Sequence, residues 1–324
     1  MADLYPLLLR PEFKERIWGT RDLSPIYGEA PGTAPIGEVW LTGDECRVTN
    51  GPLAGATLGE LCKRFGRDLV GETARDPDRF PLLIKFLFPR EKLSVQVHPD
   101  DDMAKQIGEP CGKTECWYVL KAEPGAQVGL GLKPGTTREQ FARAIREVRA
   151  EQLLNWIDIH EGEMIYVDAG TVHAIGPGSI LVETQQNSDT TYRLYDYGRP
   201  RELHVEQGLR VMKEKTSAGK IAPSTRDAFA GLIVSPCFVV SKWSLRPKHF
   251  VNSDNSDANR WLKAGVLVGL NGCGVVRAQG AEPITFGRGD VVVLPATVGA
   301  YSVHSQWDIE YLTMMLPPVA PREQ

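Results

Sequence analysis

The sequence holds no CxxC pair among its six cysteines, Cys46, Cys62, Cys111, Cys116, Cys237 and Cys273. With no secretory signal in view, that pattern reads as free, reduced thiols in a cytoplasmic protein. Cys111 and Cys116 lack further ligand partners, so no zinc site is expected there. No apolar run approaches the length of a membrane span. Leu7-Leu8-Leu9 is too short for a signal segment and is flanked by Asp3 and Glu12. Positive charge is not in excess: the formal net charge is -4. That argues against a nucleic-acid binder working by counterion release and leaves room for a small anionic substrate. A Gly-rich nucleotide loop is lacking, and so is any βαβ alternation, which excludes a doubly wound parallel sheet.

What is present is an ordinary globular composition, 42% hydrophobic and 24% charged over 324 residues. That length suffices for one large domain or two ordinary ones. Short strands separated by Gly, Pro and Asp turns dominate. Examples are Phe80 to Phe88, Glu115 to Leu120, Met164 to Val167, Ile180 to Gln185 and Thr191 to Tyr197. Beyond residue 230 come Phe238 to Leu245, Gly265 to Leu270, Gly274 to Arg277, Asp290 to Leu294 and Ile309 to Met314. Helices are few. Thr57-Leu58-Gly59-Glu60 has capping-box spacing and leads into Leu61, Phe65 and Leu69. Thr137 to Gln140 opens a second helix with Phe141, Ile145 and Val148 on one face. Asp101 to Ile107 and Leu203 to Lys213 read as shorter helices, and Asn252 to Asn259 as a polar loop.

Three short segments carry the chemistry. In Leu93-Ser94-Val95-Gln96-Val97-His98, apolar and polar residues alternate, so a strand projects Ser94, Gln96 and His98 from one face. Lys113 and Glu115 have the same two-residue spacing. His173 ends the third segment, Gly170-Thr171-Val172-His173. Gln96, His98, Glu115 and His173 supply one amide oxygen, one carboxylate and two imidazoles, a set suited to a borderline divalent ion such as zinc. The other histidines, His160, His204, His249 and His304, have no such partner nearby and read as structural or surface residues. Lys85 is a charge inside an apolar strand, which calls for a partner or a pocket. Trp117, Tyr118 and Trp156 read as core.

An internal echo suggests two barrels. Gly162 begins Gly-x5-Asp168-x-Gly170-x2-His173, and Gly289 begins Gly-x5-Pro295-x-Thr297-x2-Ala300. Both resemble the second sequence motif of cupins, the first keeping its His and the second its Pro. The fold expected is mainly β, a tandem cupin of jelly-roll barrels with a few short helices inserted. Residues 1–215 would form a metal-binding domain with helical insertions at about 57–70 and 101–156. Residues 228–324 would form a degenerate barrel without metal, beyond a boundary near Lys215 to Asp227.

Gln96-Val-His98-Pro-Asp, Gly-Lys113-Thr-Glu115 and Gly-Thr-Val-His173-Ala resemble the type I mannose-6-phosphate isomerases. So do Asn50-Gly-Pro-Leu53, Arg16-Ile-Trp18-Gly19 and Ser188-Asp189-Thr-Thr-Tyr-Arg193. The likeness runs over nearly the whole chain, to the short bacterial branch that lacks a large helical insertion. It implies a tandem cupin and a zinc-dependent interconversion of mannose 6-phosphate and fructose 6-phosphate through a cis-enediolate. One zinc per chain would be held by Gln96, His98, Glu115 and His173. The resemblance also places Lys113 and Arg193 in the active site and Glu183 and Asp189 around its pocket. Lys85 and Ser94 fall where the family meets the phosphate. Zinc with one carboxylate ligand keeps residual positive charge, and Lys113 and Arg193 would add more where the enediolate and phosphate sit. The proton carrier stays open among Lys113, Glu183, Asp189 and a metal-bound water. The partner expected is a small sugar phosphate, with no nucleic acid and no membrane, in a monomer or small homo-oligomer. An isomerase of another phosphorylated sugar, or a non-catalytic metal cupin that binds a sugar, would show many of the same features.

Overall fold

The computed structural model describes residues 4–252 and 263–317. The architecture is mainly β, two barrels in tandem with a few short helices, as the strand-rich sequence and the motif echo led us to expect. A seven-stranded antiparallel sheet runs in the order Gly219–Ile221, Met164–Val167, Glu115–Ala122, Ser179–Gln186, Leu82–Leu87, Ile36–Trp40 and Glu12–Thr20. A five-stranded sheet faces it, in the order Tyr192–Tyr195, Val95–Val97, His173–Ile175, Gln127–Leu132 and Leu154–Asp158. A ten-stranded sheet forms the second barrel around Tyr301–Met315 and Gly265–Ala278.

The period of two decides what each face buries. On Leu82–Leu87, Leu82, Ile84 and Phe86 join the apolar layer shared with the second barrel's Val240, Val266 and Val291. Leu87, Trp117, Val119 and Leu181 face the other way, into the first barrel, and meet Val128, Leu130 and Ile175 of the five-stranded sheet. Val95, Val97 and Leu194 point out of the five-stranded sheet and pack against Phe141 and Ile145 of the helix Arg138–Arg146. Leu93 departs from its expected partners: it packs inside the barrel.

Both capping boxes are present, Thr57 with Glu60 and Thr137 with Gln140. Helix Arg138–Arg146 stops before Val148, which is 66% exposed at φ 57 and so leaves the expected apolar face. The Leu203 to Lys213 helix is confined to Val205–Val211. Gly265 to Leu270 and Gly274 to Arg277 are one strand, Gly265–Ala278, with irregular register around Asn271 and Gly272. Gly272 makes this possible: at φ 71, a Cβ there would stand 1.7 Å from the Asp308 carbonyl oxygen. Residues 253–259 of the expected polar loop lie outside the described residues, and Asn252 ends the strand Phe250–Asn252.

Strand pairing crosses the division expected near residue 215. Leu7–Arg10 pairs with Val291–Leu294 of the second barrel, and Gly219–Ile221 pairs with Met164–Val167 of the first. The chain's first strand thus ties the barrels together, and the first barrel's sheet runs on past residue 215.

Candidate functional site

Following the first barrel's inner wall along its strands, side chains change from apolar to ionic. Leu87 gives way to Lys85, Leu181 to Glu183, and Val119 and Trp117 to Glu115. In register, Trp40 stands opposite Lys85, Lys85 opposite Glu183, and Glu183 opposite Trp117. The five-stranded sheet brings His173 opposite Gln96, and Gln96 opposite Arg193.

His98, Glu115 and His173 are all buried, and one ligand atom from each lies within 4.8 Å of the others. Glu115 Oε2 is 3.6 Å from His98 Nε2, and Glu115 Oε1 is 3.4 Å from His173 Nε2. Each imidazole is oriented from behind. His98 Nδ1 is 3.0 Å from the Thr190 carbonyl and His173 Nδ1 is 2.9 Å from the Thr171 carbonyl. These carbonyls fix the proton on Nδ1 and leave both Nε2 lone pairs turned toward Glu115, the arrangement in which histidine binds a metal. Burial, together with the Lys113 charge, keeps His98 well below the usual histidine range. Burial likewise lowers His173 to about 4. Two neutral imidazoles and a carboxylate fit a divalent zinc ion.

Gln96 adjoins this group. Its Nε2 is 3.2 Å from His173 Nε2, while its Oε1 accepts from Ser94 Oγ at 3.2 Å. To offer its oxygen as a ligand the amide would turn by half a revolution. Ser94 is buried and bonds this amide.

Lys113 is the central cation. Its ammonium donates to Glu115 Oε2 at 2.7 Å and to His98 Nε2 at 3.0 Å, and lies 3.6 Å from Glu183 Oε1. Burial opposes its charge, but Glu115 and then Glu183 outweigh that cost, so its pKa is raised above the ordinary lysine range. Burial raises Glu183 to about 7, the nearby Glu115 adding to the effect and Lys85 opposing it.

Lys85 is 3% exposed. Its ammonium lies 3.9 Å from Glu38 Oε2 and 5.2 Å from the Trp40 ring centroid. Sequence reading missed Glu38, whose carboxylate takes two bonds from Arg16 and one from Trp40 Nε1 at 2.7 Å. The available signal was a lone acid in the short strand Ile36–Trp40. Gln185 was also missed. It stands opposite Glu115, fully buried, with an amide oxygen that accepts no hydrogen bond from the described residues.

Arg193 and Asp189 sit further out. Arg193 follows Gln96 in register, but its Nη1 donates to the Glu202 carbonyl and its Nε is buried without an acceptor among the described residues. Asp196, the nearest buried acid in sequence, is taken up by Arg199 and Arg201. Asp189 is exposed, and its charge helps to raise the Lys113 pKa.

Residues 7–124 match the family model for the phosphomannose isomerase type I catalytic domain. The mannose-6-phosphate isomerase ManA of Bacillus subtilis (strain 168) is 35% identical over 316 residues, covering 92% of this chain and 95% of that protein. A solved mannose 6-phosphate isomerase from Bacillus subtilis superposes with a TM-score of 0.84 at 30% identity, covering 95% of this chain and 99% of the other. A zinc-bound mannose 6-phosphate isomerase shares the fold, with a TM-score of 0.77 at 16% identity over 96% of this chain and 99% of that one.

Proposed function

The chain belongs to the type I phosphomannose isomerases, and on that premise we propose that it interconverts mannose 6-phosphate and fructose 6-phosphate. Gln96, His98, Glu115 and His173 would hold one zinc ion. The observation that carries the reading is the meeting of two neutral imidazole Nε2 atoms with Glu115, the Lys113 ammonium 2.7 Å from that carboxylate. A bound zinc ion would supply Lewis-acid stabilisation of negative charge on the sugar oxygens.

This chain's own residues account for the rest. The reaction takes a proton from C2 and returns it to C1, while the carbonyl moves from C1 to C2. Glu183 suits that transfer: a buried carboxyl near neutrality can take a proton and give it back. Lys113, held charged, faces the oxygens on which the enediolate charge develops. Arg193 offers a guanidinium without a carboxylate bond, suited to a phosphate at the pocket's edge. Lys85 adds a buried positive charge beside Glu183. Asp189, whose charge acts on Lys113 from the rim, completes the acidic surround. Ser94 serves by holding the Gln96 amide.

The test is conversion of mannose 6-phosphate by the purified protein, before and after chelation and again after zinc is restored. Activity lost to the chelator and recovered with zinc supports the reading. No conversion by fully metal-loaded protein overturns it.

A further inference from the structure

A cavity of about 250 Å³ is lined by residues of both barrels. Phe80, Pro81 and Pro110 line it from the first barrel and Pro236, Leu316 and Pro317 from the second. Four prolines with fixed φ make this a preformed, rigid and largely apolar slot.

Its polar lining sets Arg75 and Arg79, each already facing a carboxylate, beside Thr73, Gln186 and Asn187. Arg79 Nε and Thr73 Oγ1 are both buried without a hydrogen-bond partner among the described residues. Asp44 lies 3.9 Å from that Nε, and Nη2 reaches Asn187 Oδ1 at 3.4 Å. Arg75 stands at the rim, paired with Asp101 at 2.7 Å, and Asp76 is the acid among the lining residues. Buried donors without acceptors mark a place where a ligand oxygen belongs.

We propose that this slot binds a small phosphate monoester with a flat apolar group, its oxygens meeting Arg79, Thr73 and Arg75 and its apolar part lying between Phe80 and the prolines. The site is wired to the metal centre. Arg75 bonds Asp101, whose Oδ1 accepts from Gly112 N and from Gln186 Nε2, each at 2.9 Å. Gln186 Oε1 in turn accepts from Thr114 N at 2.9 Å. An anion that draws Arg75 from Asp101 therefore loosens the segment presenting Lys113 and Glu115. Bound ligand would lower turnover without competing with the sugar phosphate. That consequence rests on the proposed function, whereas the binding itself does not.

Cys111 and Cys237 line the same cavity and report on it. Maleimide labelling of the metal-loaded protein, mapped by peptide mass spectrometry, is compared with and without phenyl phosphate. Saturable, several-fold protection of Cys111 and Cys237 but not of Cys273 is expected. It should be lost in Arg79→Ala and weakened in Arg75→Ala, whose side chain is exposed; thermal melts verify that both variants fold. No protection of the wild type overturns the proposal. So does protection undiminished in both variants, or equal protection by benzyl alcohol. The readout needs no enzymatic activity, so its failure is distinct from failure of the isomerase assay.

Discussion

Lys85 and Glu183 stand opposite each other on paired strands, yet each makes an ionic contact with a different residue, Lys85 with Glu38 at 3.9 Å and Glu183 with Lys113 at 3.6 Å. The buried wall is thus a chain of alternating charge, Glu38, Lys85, Glu183, Lys113 and Glu115. In such a chain the loss of one member leaves its neighbours unpaired in a poorly solvated site.

Removal of Glu38 should be the costliest change at the Lys85 end. Burial works against its charge, but Lys85, Arg16 and the Trp40 donor hold its carboxyl at about 2, below the ordinary 4.5. A depressed carboxyl stabilises the fold above its unfolded value, and that stability fades as pH falls toward the folded one. Glu38→Gln should lower unfolding free energy by roughly 3 kcal/mol at pH 7. The gap to wild type should narrow between about pH 5 and 2. Denaturant titrations across that range check it, and a gap independent of pH would count against the assignment.

Metal removal should destabilise the protein as well as silence it. An ion bound at a hundredfold its dissociation constant adds about 2.7 kcal/mol to the folded state. Melting with chelator should therefore show a lower midpoint that zinc restores, and His98→Ala should show the low midpoint throughout. Because burial keeps His173 neutral down to about 4, metal retention should persist well below the ordinary histidine range. Metal content measured by atomic spectroscopy across acid pH gives the answer.

Lys113→Met should separate chemistry from metal binding. Its ammonium shares the lone pairs of His98 Nε2 and Glu115 Oε2. Without it, metal affinity should hold or rise, while turnover falls by about 100- to 1000-fold. Steady-state kinetics on variants of matched zinc content test both halves.

Ser94→Ala should act through Gln96. The serine hydroxyl bonds the Gln96 side chain and, once the amide turns its oxygen to the metal, would accept from the amide nitrogen instead; its loss should weaken metal affinity roughly tenfold. Competition with a fluorescent chelator measures this. Unchanged affinity alongside a raised KM would instead place Ser94 on the phosphate.

Arg193→Ala should leave metal bound and reduce kcat/KM about 10- to 100-fold, the worth of a charge-assisted bond to phosphate. Wild-type kinetics would remove Arg193 from the site.

The fold class was legible because strand periodicity and turn residues are local signals. Met164–Val167 appears with its expected bounds, and both capping boxes are written in four consecutive residues each. Gln96 with His98 and Lys113 with Glu115 were legible for the same reason, since a spacing of two puts side chains on one face. His173 stood out through its motif. Glu38 did not, because its role comes from Lys85 and Arg16, which lie 47 and 22 residues away in sequence. Nor did local pattern reveal that Val148 falls beyond its helix, or that Leu7–Arg10 joins the second barrel's sheet.

The sequence by itself determined the strand-rich architecture, the tandem motif and the residue types offered to a metal, all matters of residues a few positions apart. Tertiary structure alone decided which carbonyls hold the imidazoles, which acid answers Lys85, and which donors stand without acceptors. Burial and pairing set those charges, and both depend on segments brought together only when the sheets close.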